Sequence, residues 1–185
     1  MKTAHLYTIL LTLITLLPLT TLHAASPAPV TAQNGMVVSA SDYASQIGVD
    51  IMKKGGNAFD AAAATGFALA VTHPSAGNLG GGGFLVAHTA DGRSFTLDFR
   101  ESAPAAAHED MFLDASKEVI PGLSLRSPLA SGTPGSVDGL LKIWRDHGSG
   151  NISRRKLLAP AIKLARSGFP VSRNLANSLK FARSR

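Results

Sequence analysis

One arginine stands out among the residues able to do chemistry. Arg100 ends the alternating run Arg93-Ser-Phe-Thr-Leu-Asp-Phe-Arg100 and is followed by Glu101. Period-two alternation puts Phe95, Leu97 and Phe99 on one face of a strand, and Thr96, Asp98 and Arg100 on the other. A guanidinium in that setting has two uses. It can close a structural ion pair with Asp98 or Glu101, or it can clamp a substrate carboxylate bidentately, which its planar fork does better than an ammonium. Other chemistry finds less support. The chain has no cysteine, which excludes a thiolate nucleophile, a disulfide framework and thiolate metal sites. Its six histidines are dispersed, and Phe112 stands where His108-Glu109 would need a second histidine for a helical zinc site, so neither metal nor cofactor is expected. Gly77-Asn-Leu-Gly80 lacks the spacing of a dinucleotide loop, and neither Gly-Lys-Ser/Thr nor a G-x-S-x-G elbow occurs. Asn151-Ile152-Ser153 matches a glycosylation acceptor, a triplet that arises often by chance.

The elements that must position Arg100 follow from patterning. His73-Pro-Ser-Ala-Gly-Asn-Leu-Gly-Gly-Gly-Gly83 precedes Phe84-Leu-Val-Ala-His-Thr89. Each glycine raises the entropy lost on folding, so four in succession imply unusual dihedrals or a close backbone approach. Residues 84–89 and 93–100 read as a hairpin turning through Ala90-Asp91-Gly92. Upstream, Met36 to Ser39 reads as a short buried strand. Ser41 or Asp42 caps a helix with the stripe Ala44, Ile47, Ile51 and Met52, stopped by Gly55-Gly56. Asn57 caps a second helix, Ala58 to Val71, apolar nearly all round and hence buried on several sides, which Pro74 closes at His73.

Downstream, residues 102–135 are rich in Pro, Ala, Ser and Gly, with at most a short helix near His108 to Leu113. A helix starting at Thr133-Pro134-Gly-Ser136 carries Val137, Leu140, Leu141 and Trp144. Another begins at Ser153 and runs through Leu158, Ala161, Ile162 and Ala165, and Pro160 should bend or divide it. Ser172 caps a last helix with Leu175 and Leu179. Three strands and no returning partner make the sequence look cut short.

With 185 residues, 45% hydrophobic and 16% charged, the chain is expected to build a real core. Residues 1–24 read as a signal peptide: Lys2 opens it, Leu6 to Leu17 is apolar but interrupted, and Leu22-His23-Ala24 offers a cleavage point. A span needs about 20 apolar residues. No stable membrane anchor is therefore expected after cleavage, and the mature chain should be periplasmic or secreted. Residues 25–35 form a flexible lead-in, and 36–185 the folded part. Charge divides sharply: 5 Lys/Arg against 10 Asp/Glu over residues 25–120, then 12 against 2 over residues 121–185. The basic residues are scattered over helices with few aromatics between them, a poor stacking platform for nucleic acid. They read as solvated helix faces or as a surface for an acidic partner segment.

Several separated motifs, in order, resemble one family. Ser39-Ala-Ser-Asp-Tyr-Ala-Ser-Gln-Ile-Gly-Val-Asp-Ile-Met-Lys-Lys-Gly-Gly-Asn-Ala-Phe-Asp-Ala-Ala62 is similar to the start of the large subunit of γ-glutamyltranspeptidases. Pro74 to Phe84, Leu97-Asp-Phe-Arg-Glu-Ser-Ala-Pro104, Gly132-Thr-Pro-Gly135 and Leu158 to Phe169 continue the similarity. The resemblance implies an α+β N-terminal-nucleophile hydrolase, an αββα sandwich present only in part. It implies a self-cleaving zymogen whose small subunit exposes a threonine nucleophile, with its own amine as base and backbone N–H groups on the oxyanion. It further implies γ-glutamyl substrates such as glutathione, with transfer to water or an amino-acid acceptor. Arg100 corresponds to the arginine that holds the substrate α-carboxylate, and the glycine run to buried loop packing. No catalytic residue is assigned in this chain, because the family's threonine lies beyond the matched region. The alternatives are a sister acylase on the same scaffold, of the cephalosporin acylase kind, and a non-catalytic secreted interaction module.

Overall fold

A computed structural model describes residues 28–183, so the signal peptide reading falls outside the described residues. Residues 28–33 are exposed and without regular secondary structure, and a compact unit begins at Asn34. Its elements in chain order are α1 (Asp42–Lys53), α2 (Ala58–Thr72), β1 (Phe84–His88), β2 (Ser94–Asp98), α3 (Leu123–Arg126), a 3-10 turn at Pro128–Ala130, α4 (Ser136–His147), α5 (Arg154–Ser167) and α6 (Arg173–Arg183). No helix among the described residues is long and apolar enough to cross a membrane.

Helix α2 is the axis on which the rest packs, as its all-round apolarity foretold. It touches α1, α4 and α5 and buries Ala61, Ala63, Ala64, Phe67 and Ala68. Ile51, Leu140, Ile143, Ile152 and Leu157 close around it to complete the core.

The helix starts with a reciprocal capping box. Asn57 Oδ1 accepts from the N–H groups of Phe59 and Asp60, at 2.9 and 3.0 Å, and Asp60 Oδ2 accepts from Asn57 N–H at 2.9 Å. The same two side chains reach across the fold. Asp60 Oδ2 also accepts from Ser149 N–H at 2.9 Å, and Asn57 Nδ2 donates to His147 O at 2.8 Å. The cap of one helix thus fastens the end of another. At the far end His73 leaves helical geometry at φ −135° and ψ 62°, as the following proline demands.

The antiparallel hairpin pairs Phe84 with Asp98 and His88 with Ser94. Its inner face carries Phe95, Leu97 and Phe99, half-buried, and its outer face Thr96, Asp98 and Arg100, exposed, matching the alternation. Phe95 stacks on His147 with ring centroids 4.3 Å apart, and Phe59 lies 5.2 Å from the same imidazole. This trio fixes the ribbon to the start of α2 and the end of α4.

Four expectations need correction. Met36–Ser39 forms no strand, and Val38 is exposed; among the described residues the two hairpin strands pair only with each other, so no sheet edge receives it. The short helix of the 102–135 region lies at Leu123–Arg126, while residues 109–112 are turns and Leu113 bridges to Val119. Helix α4 buries Ser136, Leu140 and Ile143, and Val137 faces out. Pro160 divides nothing: α5 is one helix, burying Leu157 and Ala161 with Ile162 on its exposed side. A proline inside a helix removes one ladder donor, and here packing of the buried stripe on α2 outweighs that loss. The last helix, α6, forms where expected, and Ser172 Oγ accepts from Leu175 N–H at 3.1 Å at its start, although that helix buries no residue.

Candidate functional site

Arg100 lies just beyond the C-terminal end of β2, with its side chain exposed. Its main chain is held from two sides. On one side the ladder extends past β1: Phe99 N–H donates to Gly83 O at 3.0 Å, and Gly83 N–H donates to Phe99 O at 3.4 Å. The preceding Gly82 presses directly on the arginine. A Cβ there would lie 2.5 Å from Arg100 Cα and 2.4 Å from Glu101 N, separations that no side chain tolerates.

On the other side stands the segment leading into α4. Ser102 and Thr133 exchange both backbone hydrogen bonds, 3.2 and 2.8 Å. Gly135 packs against the Phe99 carbonyl so closely that a Cβ would fall 2.0 Å from its oxygen. The two flanks are tied together as well. Gly81 O accepts from the N–H groups of Gly135 and Ser136 at 2.8 and 2.9 Å. Asn78 Oδ1 accepts from Gly81 N–H at 2.8 Å and from the Ser136 hydroxyl at 2.5 Å.

The glycine run is therefore packing, as the resemblance implied, but only partly buried. Gly81 to Gly83 are half-buried against the strand end, and Gly80 is exposed with open space around it.

The ion-pair reading of Arg100 is not what the structure holds. Asp98 Oδ1 accepts from the backbone N–H of Arg100 at 2.9 Å, which turns the chain. Among the described residues no carboxylate pairs with the Arg100 guanidinium, and the ion pairs lie elsewhere, at Arg93–Asp91, Lys117–Asp110, and Lys142 and Arg145 with Asp146. Two carboxyls are held below their usual range, neither of them paired with this arginine. The Thr89 hydroxyl and then Arg93 stabilise ionised Asp91 in the hairpin turn, and a hydrogen bond from Lys142 does so for Asp146 on α4. An exposed, unpaired planar cation on a rigid main chain is suited to receive a carboxylate.

Sequence reasoning did not single out Asn78, Ser136 or the pairing across them. Sequence offers little signal for it: Ser136 precedes the more apolar Val137, and the burial that obliges its hydroxyl to find a partner shows only in the fold.

Residues 44–185 match the sequence profile of the family described as gamma-glutamyltranspeptidase. The chain belongs to that family. Two of its relatives are glutathione hydrolase proenzymes, from Pseudomonas sp. (strain A14) and Escherichia coli (strain K12), each 53% identical over 147 and 152 residues respectively. These matches cover 80% and 82% of this chain but only 25% and 26% of the relatives, so it spans about a quarter of their length. Among solved structures, the γ-glutamyltranspeptidase of Helicobacter pylori superposes with a TM-score of 0.80 at 47% identity, over 85% of this chain and 45% of that one. A cephalosporin acylase from Bacillus halodurans superposes with a TM-score of 0.70 at 28% identity, over 88% of this chain and 30% of that one. The γ-glutamyltranspeptidase fold seen here is thus part of an N-terminal-nucleophile hydrolase, mixed helix and sheet as the residues implied.

Proposed function

We propose that the enzyme carrying this chain is a γ-glutamyltransferase and glutathione hydrolase, and that Arg100 grips the α-carboxylate of its γ-glutamyl substrate. The substrate class is γ-glutamyl amides such as glutathione. The γ-glutamyl group passes to a threonine nucleophile of the small subunit, then to water or to an amino-acid acceptor. Residues 28–183 contribute no nucleophile in this reading. They supply a cation that fixes one end of the substrate, and orientation of that kind converts binding into rate. The observation that carries the proposal is the exposed Arg100 guanidinium, without an ion-pair partner among the described residues, on a main chain gripped by Gly82 and Gly135.

The test uses the full-length processed enzyme and two anilides, one γ-glutamyl and one 4-aminobutyryl, which share the amine and differ only in the α-carboxylate. Arg100→Gln should raise KM for the γ-glutamyl anilide. Losing one partner of a desolvated charge pair costs about 2–5 kcal/mol, or roughly 30-fold or more. An unchanged KM would remove Arg100 from the site. The 185-residue polypeptide alone should release no chromophore from a γ-glutamyl anilide, and measurable release would refute the division of labour.

The same reading places the enzyme in the periplasm or outside the cell, after removal of residues 1–24. Amino-terminal sequencing of the exported protein should begin near Ala25. The superposed cephalosporin acylase supplies a second reading, hydrolysis of a cephalosporin amide. A preference for a cephalosporin amide over the γ-glutamyl anilide would favour it.

A further inference from the structure

The Asn78–Ser136 contact joins the glycine loop to the start of α4, and Arg100 lies between them. We propose that Asn78 and Ser136 are positioning residues for Arg100, holding the walls that fix where its guanidinium is presented. This rests on the reading of Arg100 as the carboxylate clamp. Asn78 is half-buried and Ser136 is buried, with 4% of its surface exposed.

The geometry gives each a defined task. One oxygen, Asn78 Oδ1, accepts from a donor on each wall: Gly81 N–H at 2.8 Å on the loop side and Ser136 Oγ–H at 2.5 Å on the helix side. Gly81 in turn receives two N–H groups from Gly135 and Ser136. The loop is thereby locked to α4 at three points. Gly82 follows Gly81 directly and abuts Arg100 Cα, and Gly135 precedes Ser136 directly and abuts the carbonyls of Phe99 and Arg100. The arginine backbone is clasped by the residues adjacent to the lock. Neither Asn78 nor Ser136 needs to touch substrate. If the lock opens, the walls separate, and the guanidinium samples positions in which its fork no longer faces both carboxylate oxygens.

The experiment measures, in the full-length processed enzyme, the ratio of kcat/KM for the γ-glutamyl anilide to that for the 4-aminobutyryl anilide. Asn78→Ala and Ser136→Ala should each lower this ratio about tenfold through KM, since displacements near 1 Å are worth one to two orders of magnitude. Ser136→Thr, which keeps the hydroxyl, should restore it. In an Arg100→Gln background neither alanine variant should lower the ratio further, because the group they position is gone.

Three results would overturn the proposal. The ratio could stay at the parent value in both alanine variants while Arg100→Gln lowers it, leaving the clamp intact and the positioning role refuted. Both substrates could lose activity equally alongside a fall in Tm, which would make the contact merely structural. Arg100→Gln could leave the ratio unchanged, which would sink the clamp reading itself and the positioning role with it.

Discussion

Gly82 and Gly80 stand two residues apart in the same run, yet the structure assigns them opposite sensitivities. At Gly82 an added methyl would meet Glu101 N at 2.4 Å, Arg100 Cα at 2.5 Å and Arg100 C at 2.6 Å, whereas ordinary contact begins at 3.4 Å. All three atoms belong to the main chain, so no rotamer change relieves the clash. The strand end must retreat by the difference, about 1 Å from 2.4 to 3.4 Å. Overpacking of this kind costs about 1–3 kcal/mol of stability. With Arg100 in its proposed role of orienting substrate, a displacement of about 1 Å there should cost on the order of a hundredfold in rate. At Gly80 nothing lies within 4 Å and φ is not in the left-handed region. Gly80→Ala should therefore change stability by no more than about 0.5 kcal/mol in either direction. The assay is a thermal melt together with kcat/KM for a γ-glutamyl anilide, on both variants of the full-length enzyme. Equal Tm and equal kcat/KM for the two would mean that the loop does not buttress Arg100.

Further outcomes follow from the same structure. Asp60→Ala removes an acceptor of two backbone N–H groups at a fully buried site, while relieving the side-chain oxygen Oδ1, which has no hydrogen-bond partner among the described residues. At about 1.5–3 kcal/mol for each bond to a charged group, less the relief, the net loss should be about 2–4 kcal/mol. Urea unfolding will read it, and a loss below about 0.5 kcal/mol would contradict the clasp. Leu157→Ala empties a fully buried position and should destabilise by about 2–5 kcal/mol in the same measurement. For Asp146 the sign follows from linkage. Its carboxyl is lowered in the folded state, chiefly by Lys142, so its contribution is complete above the unfolded value near 4 and is lost as pH falls through the lower folded value. Asp146→Asn should flatten the acid limb of the Tm–pH curve, more visibly at low salt; curves that superpose from neutral to acid pH would argue against it.

Much of this fold could be read from residue order because local and global preferences agree. Asn57 with Asp60 announced a helix start, and the apolar surround of Ala58–Val71 announced its burial. The alternation from Phe95 to Arg100 gave the hairpin faces correctly. The misreadings share a cause. Met36–Ser39 is an apolar stretch whose conformation depends on whether a sheet edge accepts it, and that is not a local property. Val137 outranks Ser136 on hydrophobicity, yet Ser136 is the buried one because Asn78, 58 residues away in sequence, receives its hydroxyl. Pro160 signals a break by local chemistry, and tertiary packing overrides it. Arg100 itself was visible from its place on the polar face. Its freedom from Asp98 was not, because only the fold shows that Asp98 is turned to the main chain.

The ribbon that presents Arg100 is also adhesive. Each strand has one border with no neighbouring strand among the described residues, and Phe84 and Val86 face outward from it. Across Phe84–His88 and Ser94–Asp98 the one carboxylate is Asp98, with no lysine and no proline to discourage intruders. Open borders of this kind recruit strands from other molecules. A cell that overproduces this segment by itself should accumulate it as insoluble deposits, and a covering strand would have to arrive early to keep it dissolved.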